Sequence, residues 1–309
     1  MRRPDETLDE AVAKMFERAR KNGESPPRKH HLIPASYLER WAVDGRIRVT
    51  ETDSKYTYVT RPDQAARVTD FYSLASDEMD NDRIPPLLIE TILSQIEGDA
   101  KQIIDKLIEG GPRALTLIEA LEFEQFLAFQ IVRGRLFREQ LAEVVDRAQF
   151  VLWSDITDEG IAANLSEQGV ENDPDEVAHI RAFISEWRAG QVRVQLQGPA
   201  MVGFAAEAAI QLQGVLLARA WRIFHTSTPL ITCDEPVASV PVPRGDRRRY
   251  PGLQTAGAII FPLHPHHLLV MFHPALPLDE EAMRPELSQI EVGEINRELA
   301  ANSERWLFE

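Results

Sequence analysis

The chain has 309 residues, 44% of them hydrophobic, and a formal net charge of −15. A chain of this length can bury a substantial core, as one large domain or as one domain with a smaller appendage. The excess of carboxylates repels phosphate backbones across the surface as a whole, which excludes a protein that coats nucleic acid.

The N-terminal segment is predicted to form a helix of its own. The opening residues, Met1-Arg2-Arg3-Pro4-Asp5, turn acidic before any apolar run, so no secretory signal is expected. Thr7-Leu8-Asp9-Glu10 is a capping-box pattern that begins an amphipathic helix over residues 7–20, ending at Gly23. Ser25-Pro26-Pro27 follows as a stiff connector. Residues 1–24 are therefore predicted to be a separate N-terminal helix.

The next segment, residues 29–41, carries two adjacent histidines and then an aromatic helix. Pro34 is tolerated at a first helical position, and it is predicted to begin a helix whose apolar stripe includes Tyr37 and Trp41. His31 then precedes the positive end of that helix, which favours a neutral ring able to act as a base or a ligand. Adjacent side chains diverge, so at most one of His30 and His31 faces a pocket. The alternative is that both rings bond to backbone at a buried chain entry.

The rest of the chain alternates long helical patterns with short strands. The most apolar stretch, residues 200–218, is interrupted by Glu207, Gln211 and Gln213, so no membrane span is expected. The predicted strands are 46–50, 56–60, 71–73, 222–226, 230–233, 256–261 and 268–272. The predicted helices are one from Pro85-Pro86 to Gly110-Gly111, then 116–153, 174–189, 199–219 and 287–306.

These elements predict an α+β fold that is predominantly α-helical. Helices 85–110 and 116–153 and the alanine-rich helix 199–219 favour a helical bundle. The strands before residue 75 indicate a small N-terminal β element. The strands after residue 221 indicate a C-terminal antiparallel β-sheet, followed by a closing helix.

Four polar residues are predicted to meet between the two long helices. Glu90 and Glu97 share one face of the first helix, and Gln130 and Arg133 share a face of the second. An antiparallel helix pair brings these faces together. One interpretation is a buried ion pair between Glu97 and Arg133, with Gln130 filling in. The other is that Arg133 binds an anionic group such as phosphate, which its planar fork suits.

Asp234 follows a predicted buried strand and precedes Glu235-Pro236. The residue before a proline is held extended, so the turn is predicted to be rigid. A carboxylate at a strand end is a common catalytic or metal-binding group, and the alternative is an Asx-turn that caps the loop. The neighbouring Cys233 is the single cysteine, which excludes an internal disulfide and favours a reducing cytoplasm.

A histidine-rich segment near the end of the predicted sheet raises a zinc hypothesis. It contains His264, His266, His267 and His273, but Pro262 and Pro265 prevent a helix that would present an i, i+4 pair. No cysteine lies nearby, and strand-end or loop histidines are the simpler interpretation. The sequence also lacks a Gly-rich phosphate loop, a Gly-x-Ser-x-Gly elbow and a His-Glu-x-x-His motif. Their absence excludes P-loop NTPases, α/β-hydrolases and zincin metalloproteases, respectively.

Several of these segments together resemble the DUF4238 proteins, a family of unknown function. The resemblance is specific by order and spacing, over roughly residues 28–275, and it supports the fold and the choice of residues without implying an activity. Trp41 replaces the family's usual phenylalanine, and Cys233 replaces its usual serine. The matching segments are His30-His31-x-x-Pro34-x-x-Tyr37-Leu38-x-x-Trp41, Asp70-Phe71-Tyr72, Glu90 and Glu97, Gln130-x-x-Arg133, Ile231-Thr232-Cys233-Asp234-Glu235-Pro236 and Phe261-Pro262-Leu263.

Two functions follow from these residues. The first is a phosphodiester-hydrolysing enzyme, nuclease-like and of a bacterial defence or toxin type, with His31, Asp234 and Arg133 as catalytic residues. His30, Tyr37 and Gln130 are then predicted to bind the substrate, a nucleotide or nucleic acid. Whether a divalent metal takes part is left open by the sequence, as is the oligomeric state.

The alternative is a non-catalytic binding or regulatory module in which the same residues form a structural polar network. An enzyme requires them to line a solvent-reached cavity, whereas in a module they are dry and mutually satisfied. In both cases we expect a cytoplasmic protein without a membrane partner. The predicted domain covers residues 28–275, and residues 276–309 are predicted to be a C-terminal helical extension.

Overall fold

The computed structural model describes residues 29–69, 88–167, 173–192, 198–240, 252–276 and 284–309, together with residues 17 and 169. Apart from residue 17, the predicted helix 7–20 lies outside these residues, and so does the predicted strand 71–73. The chain divides into two compact units. One comprises residues 1–135 and 202–309, and the other comprises residues 136–201.

The described residues contain eight α-helices and ten β-strands. No helix among them is long and apolar enough to cross a membrane. The helices are α1 (Ala35–Leu38), α2 (Leu88–Gly110), α3 (Leu117–Val132), α4 (Arg135–Trp153), α5 (Asp158–Glu167), α6 (Pro174–Arg188), α7 (Gly198–Leu217) and α8 (Gln289–Asn302). The strands are β1 (Lys29–His31), β2 (Ile47–Glu51), β3 (Thr57–Thr60), β4 (Arg67–Thr69), β5 (Ala220–His225), β6 (Thr232–Cys233), β7 (Ala238–Val240), β8 (Ala258–His264), β9 (His267–Phe272) and β10 (Trp306–Phe308).

The mixture of helices with antiparallel sheets confirms the α+β class. One four-stranded sheet has the order β3-β2-β10-β6, and β10, one of its two inner strands, follows α8. Two predictions were wrong here. Residues 230–233 were assigned to the C-terminal sheet, yet β6 pairs with β10. The closing helix was predicted to reach residue 306, yet α8 ends at Asn302, because Ser303 is extended and residues 306–308 pair between β2 and β6.

The second four-stranded sheet is antiparallel, with the order β5-β9-β8-β7. Successive strand residues point to opposite faces, so one strand contributes to two core regions. Ile260 of β8 belongs to a core cluster with Val292 and Leu299, which are two turns apart on α8. Its neighbour Phe261 contacts the aromatic rings of α3 on the other face, including Phe123 at 6.2 Å between centroids. The sheet is therefore covered on both sides.

Helices α2 and α3 form an antiparallel pair, as the sequence predicted. Helix α2 ends at Gly110, and the next residue, Gly111, has a φ of +68°, which glycine adopts readily. Thr116 and Glu119 form the predicted capping box at the start of α3. Their side chains and backbone N–H groups bond reciprocally, so two donors at the helix start are satisfied.

The predicted helix 116–153 is two helices, because the chain breaks at Arg133 and Gly134. A Cβ atom at Gly134 would lie 2.8 Å from the carboxyl carbon of Glu235 and 2.9 Å from one of its oxygens. Any larger residue at position 134 would require the Glu235 carboxylate to move aside. The contact joins the end of α3 to the residue that follows Asp234.

The unit of residues 136–201 has a small core of its own. Ile161 and Leu165 of α5 pack against Ile184 of α6. The rings of Trp153 and Trp187 meet edge to face at 5.2 Å between centroids, which joins α4 to α6. None of the residues predicted to be functional lies in this unit.

Candidate functional site

His31 lies on β1, which pairs with β4 so that His31 is opposite Arg67. The half-buried ring has its Nε2 atom 3.0 Å from the backbone oxygen of Asp63 and 3.2 Å from Nε of Arg67. One nitrogen cannot both donate and accept, so the tautomer decides which contact is a hydrogen bond. His30 is the neighbouring strand residue, and its side chain lies outside the described residues.

Tyr37 is buried and joins the two four-stranded sheets. Its hydroxyl donates to the backbone oxygen of Pro262 on β8 at 2.7 Å and meets the Thr232 hydroxyl on β6 at 2.8 Å. Burial raises the pKa of Tyr37 well above its ordinary value. Its ring also stacks on Phe261, with centroids 5.2 Å apart. Tyr37 was predicted to bind substrate, and the structure places it in a satisfied core network.

Arg133 is buried against α2, with 3% of its side chain exposed. Its Nη1 atom donates to Oε1 of Glu97 at 2.7 Å, and its Nε atom donates to Oε1 of Gln130 at 3.2 Å. This is the ion pair that the sequence predicted. Two donor atoms of the group, Nη2 of Arg133 and Nε2 of Gln130, are buried and have no hydrogen-bond partner among the residues that the structure describes. Unmet donors of this kind are unusual in a folded core.

Asp234 is buried beneath the C-terminal turn between α8 and β10. Its Oδ1 atom accepts from the Ser303 hydroxyl and from the backbone N–H of Glu304, both at 3.0 Å. Its Oδ2 atom accepts from the backbone N–H of Arg305 at 2.7 Å. Burial raises the pKa of the carboxyl, while these hydrogen bonds oppose the shift. The carboxylate therefore caps a turn, but one that lies about seventy residues further along the chain.

The structure brings some of the predicted residues together and leaves others apart. Arg133 and Asp234 each adjoin one member of the Gly134–Glu235 contact, so their chain segments meet. The hydrogen bonds of His31 go instead to the segment before and within β4. Within the described residues, no hydrogen bond connects any two of His31, Arg133 and Asp234.

Four histidines lie together at one end of the second sheet, of which sequence reasoning had grouped three and missed His225. His264, His266 and His267 lie at the turn between β8 and β9, and His225 on β5 joins them. His273 lies beyond the other end of β9. No set of three or more His, Cys, Asp or Glu side chains in the described part of the chain is arranged to hold a metal ion. The sequence placed His225 near the end of a predicted strand. It could not show that His225 faces His267, because that pairing depends on the register of β5 with β9.

The chain matches one known family along most of its length. The model of a family described as "Protein of unknown function (DUF4238)" matches residues 29–309. The match continues through α8 and β10, beyond residue 275, where the predicted resemblance stopped. No curated protein and no solved structure matches the chain.

Proposed function

Because the chain belongs to the DUF4238 family, whose function is unknown, its activity must be inferred from its own residues, and we propose that it is a binding module for a phosphate-bearing ligand held by Arg133 and Gln130. One observation carries the proposal: the two buried donors, Nη2 of Arg133 and Nε2 of Gln130, that have no partner among the described residues. In this proposal Tyr37 and Asp234 belong to the structural network around the site.

The chemistry of these donors favours an oxyanion. Each buried donor without a partner costs about 1 to 3 kcal/mol of stability. A ligand that accepts a hydrogen bond from each of the two donors removes this cost, which favours binding. Arg133 offers a planar fork, of which Glu97 occupies one arm. A phosphate group has several acceptor oxygens and can meet the remaining arm together with the Gln130 amide. The net charge of −15 favours a compact ligand, such as a nucleotide, over a long nucleic acid.

Binding can be measured by calorimetry with inorganic phosphate, pyrophosphate and nucleoside mono- and diphosphates. Arg133→Lys keeps the charge but loses the fork, and we expect at least about tenfold weaker binding. Gln130→Met removes the amide donor at similar volume and serves as the second variant if Arg133→Lys fails to fold. Lys106→Met is the matched control, since Lys106 pairs with Glu119 across the same two helices at an exposed position. Equal affinities in all four proteins, or no binding by the natural chain, would contradict the proposal.

Phosphodiester hydrolysis is a second candidate, favoured by the contact of His31 with Arg67. In it, His31 takes a proton from water as the water attacks phosphorus, and the bond from phosphorus to the leaving oxygen breaks. Arg67 and Arg133 stabilise the charge that develops, while Asp234 positions the C-terminal turn. Such an activity suits a bacterial defence or toxin-like nuclease. The single, buried Cys233 supports a reducing, cytoplasmic setting.

Hydrolysis is tested with bis(p-nitrophenyl) phosphate and with short oligonucleotides. A general base typically contributes about 10² to 10⁴ in rate, so His31→Gln is expected to lose at least about a hundredfold in kcat. His179→Gln, at an exposed position of the other unit, is the control and is expected to retain full activity. If His31→Gln is as active as the natural chain, His31 is not the base. If the natural chain binds phosphates but turns over neither substrate, the binding module remains.

A further inference from the structure

Four histidines converge where the second sheet ends, and we refer to His225, His264, His266 and His267 as the histidine cluster. Strand register brings them together, because His267 lies opposite His225 on one side and opposite His264 on the other. Ring centroids are 4.7 Å apart for His225 and His267, and 5.6 Å for His264 and His267. The ring of His266 lies 5.8 Å from that of His264. The rings are therefore close enough for two of them to contact one small ligand.

Backbone contacts fix the proton positions on two of the rings. Nδ1 of His266 lies 2.9 Å from the backbone oxygen of Thr226, and a carbonyl only accepts, so this nitrogen carries the proton. Nδ1 of His264 accepts from the backbone N–H of His266 at 3.2 Å, so the proton of a neutral His264 is on Nε2. Nδ1 of His267 is buried without a partner among the described residues. The cluster thus keeps one buried ring nitrogen open.

The segment of Arg40 lies against the turn of the cluster, because Nε1 of Trp41 donates to the backbone oxygen of Leu230 and the N–H of Leu230 donates to the backbone oxygen of Pro265. Arg40 also contributes to the lowered pKa of His264, after burial and His266. Its Nη1 atom pairs with Asp105 at 2.8 Å, its Nη2 atom donates to the backbone oxygen of Lys101, and its Nε atom is buried with no partner in the described part of the chain. Asp105 is thus already engaged with Arg40, and Glu286 reaches the cluster through a backbone bridge to His225.

Burial is the main cause that keeps His264 and His267 neutral. Burial, and then the neighbouring histidines, lower the pKa of His267 to about 4, and burial is also the main cause of the lowered pKa of His264. A negative charge placed beside either ring would favour its protonation. An anion brings that charge, so its binding and proton uptake favour each other.

We propose that the histidine cluster and Arg40 form a binding site for an oxyanion of the sulfate or phosphate type, which is bound together with protons. The oxygens of such an anion accept from Nε of Arg40 and from His267 once Nδ1 carries a proton. A metal cation is disfavoured, because Arg40 repels it and, among the residues that the structure describes, no group of three donors is arranged around a common point.

This site is separate from the ligand proposed at Arg133. Arg40 and Arg133 pair with Asp105 and Glu97, which are eight residues, or about 12 Å, apart along α2. The inference does not depend on the proposed function, because different residues carry it. The two proposals can therefore fail independently.

Sulfate is the probe, because its charge stays constant across the pH range in which histidine titrates. Ring nitrogen signals of the full chain are followed by NMR, and affinity is measured by calorimetry, at about pH 5.5 and 7.5. We expect sulfate to raise the apparent pKa of His267 by about 2.5 units from its value of about 4, which by linkage makes sulfate bind about tenfold more tightly at the lower pH. Arg40→Gln and His267→Gln are expected to lose both effects. If His267→Gln does not fold, it is replaced by His225→Gln, since His225 is exposed. A smaller loss of sulfate binding is expected for this variant.

His273→Gln is the control, because His273 lies beyond the other end of β9, and it is expected to bind sulfate as the natural chain does. The proposal is overturned if sulfate leaves the cluster signals unchanged, or if affinity is equal at the two pH values. It is also overturned if Zn²⁺ added alone shifts these signals and releases protons while sulfate has no effect, since the cluster would then be a metal site.

Discussion

Replacing Glu97 by glutamine is expected to lower the free energy of unfolding by about 3 to 5 kcal/mol, because it leaves the Arg133 charge buried without a carboxylate. Arg133 is only 3% exposed, so water cannot replace the lost partner. Glu97 is 24% exposed, so Arg133→Met leaves the Glu97 carboxylate where water can reach it. A smaller decrease in the free energy of unfolding is therefore expected for Arg133→Met than for Glu97→Gln. The double variant removes both charges and is expected to lie within about 2 kcal/mol of the natural chain.

Urea unfolding at neutral pH, followed by circular dichroism, measures all four free energies of the cycle. Lys106→Met is the control for a charge pair between the same helices, and at a side chain that is 49% exposed we expect a loss of less than about 1 kcal/mol. If Glu97→Gln is as mild as this control, another negative group must already compensate Arg133. The two unmet donors would then no longer indicate a ligand.

The parts of the fold that were predicted well depend on local signals. Three or four neighbouring residues determine where α2 ends, at Gly110, and the same number determine the capping box at Thr116. The ion pair of Arg133 followed from the same local geometry, because a short connection makes two successive helices antiparallel neighbours. Spacing along each helix then decides which polar side chains face each other.

The parts that were missed depend on contacts between distant segments. The residue at the helix break, Gly134, lies against the carboxylate of Glu235, about a hundred residues later. Strand β6 has two residues and β10 has three, too few for a hydrophobic period, and their pairing defines them. His225 likewise joins the histidine cluster only through the register of β5 with β9. Local patterns contain no information on such pairings.

Asp234→Ala is expected to lower the free energy of unfolding by about 3 kcal/mol, because two backbone N–H donors of the C-terminal turn lose a charged acceptor, while the Ser303 hydroxyl keeps the backbone oxygen of Trp306. The loss has a defined place. Hydrogen exchange is expected to accelerate at Leu307 and Cys233, which pair across β10 and β6, more than at β8 and β9. Asp53→Ala, in the exposed turn before β3, is the control. It is expected to change the free energy of unfolding by less than about 0.5 kcal/mol and to leave hydrogen exchange in β6 and β10 unchanged.

The same variant separates a structural carboxylate from a catalytic one. A carboxylate that only holds the turn affects stability first, and a folded Asp234→Ala chain is then expected to retain any hydrolytic activity to within about tenfold of the natural rate. Ser303→Ala removes one of the three donors and is expected to show a smaller loss of stability, about 1 kcal/mol. A chain that keeps its stability but loses turnover by about a hundredfold would instead assign Asp234 to the reacting groups. The hydrogen bonds to residues 303–305 would then be a means of holding a catalytic carboxylate in place.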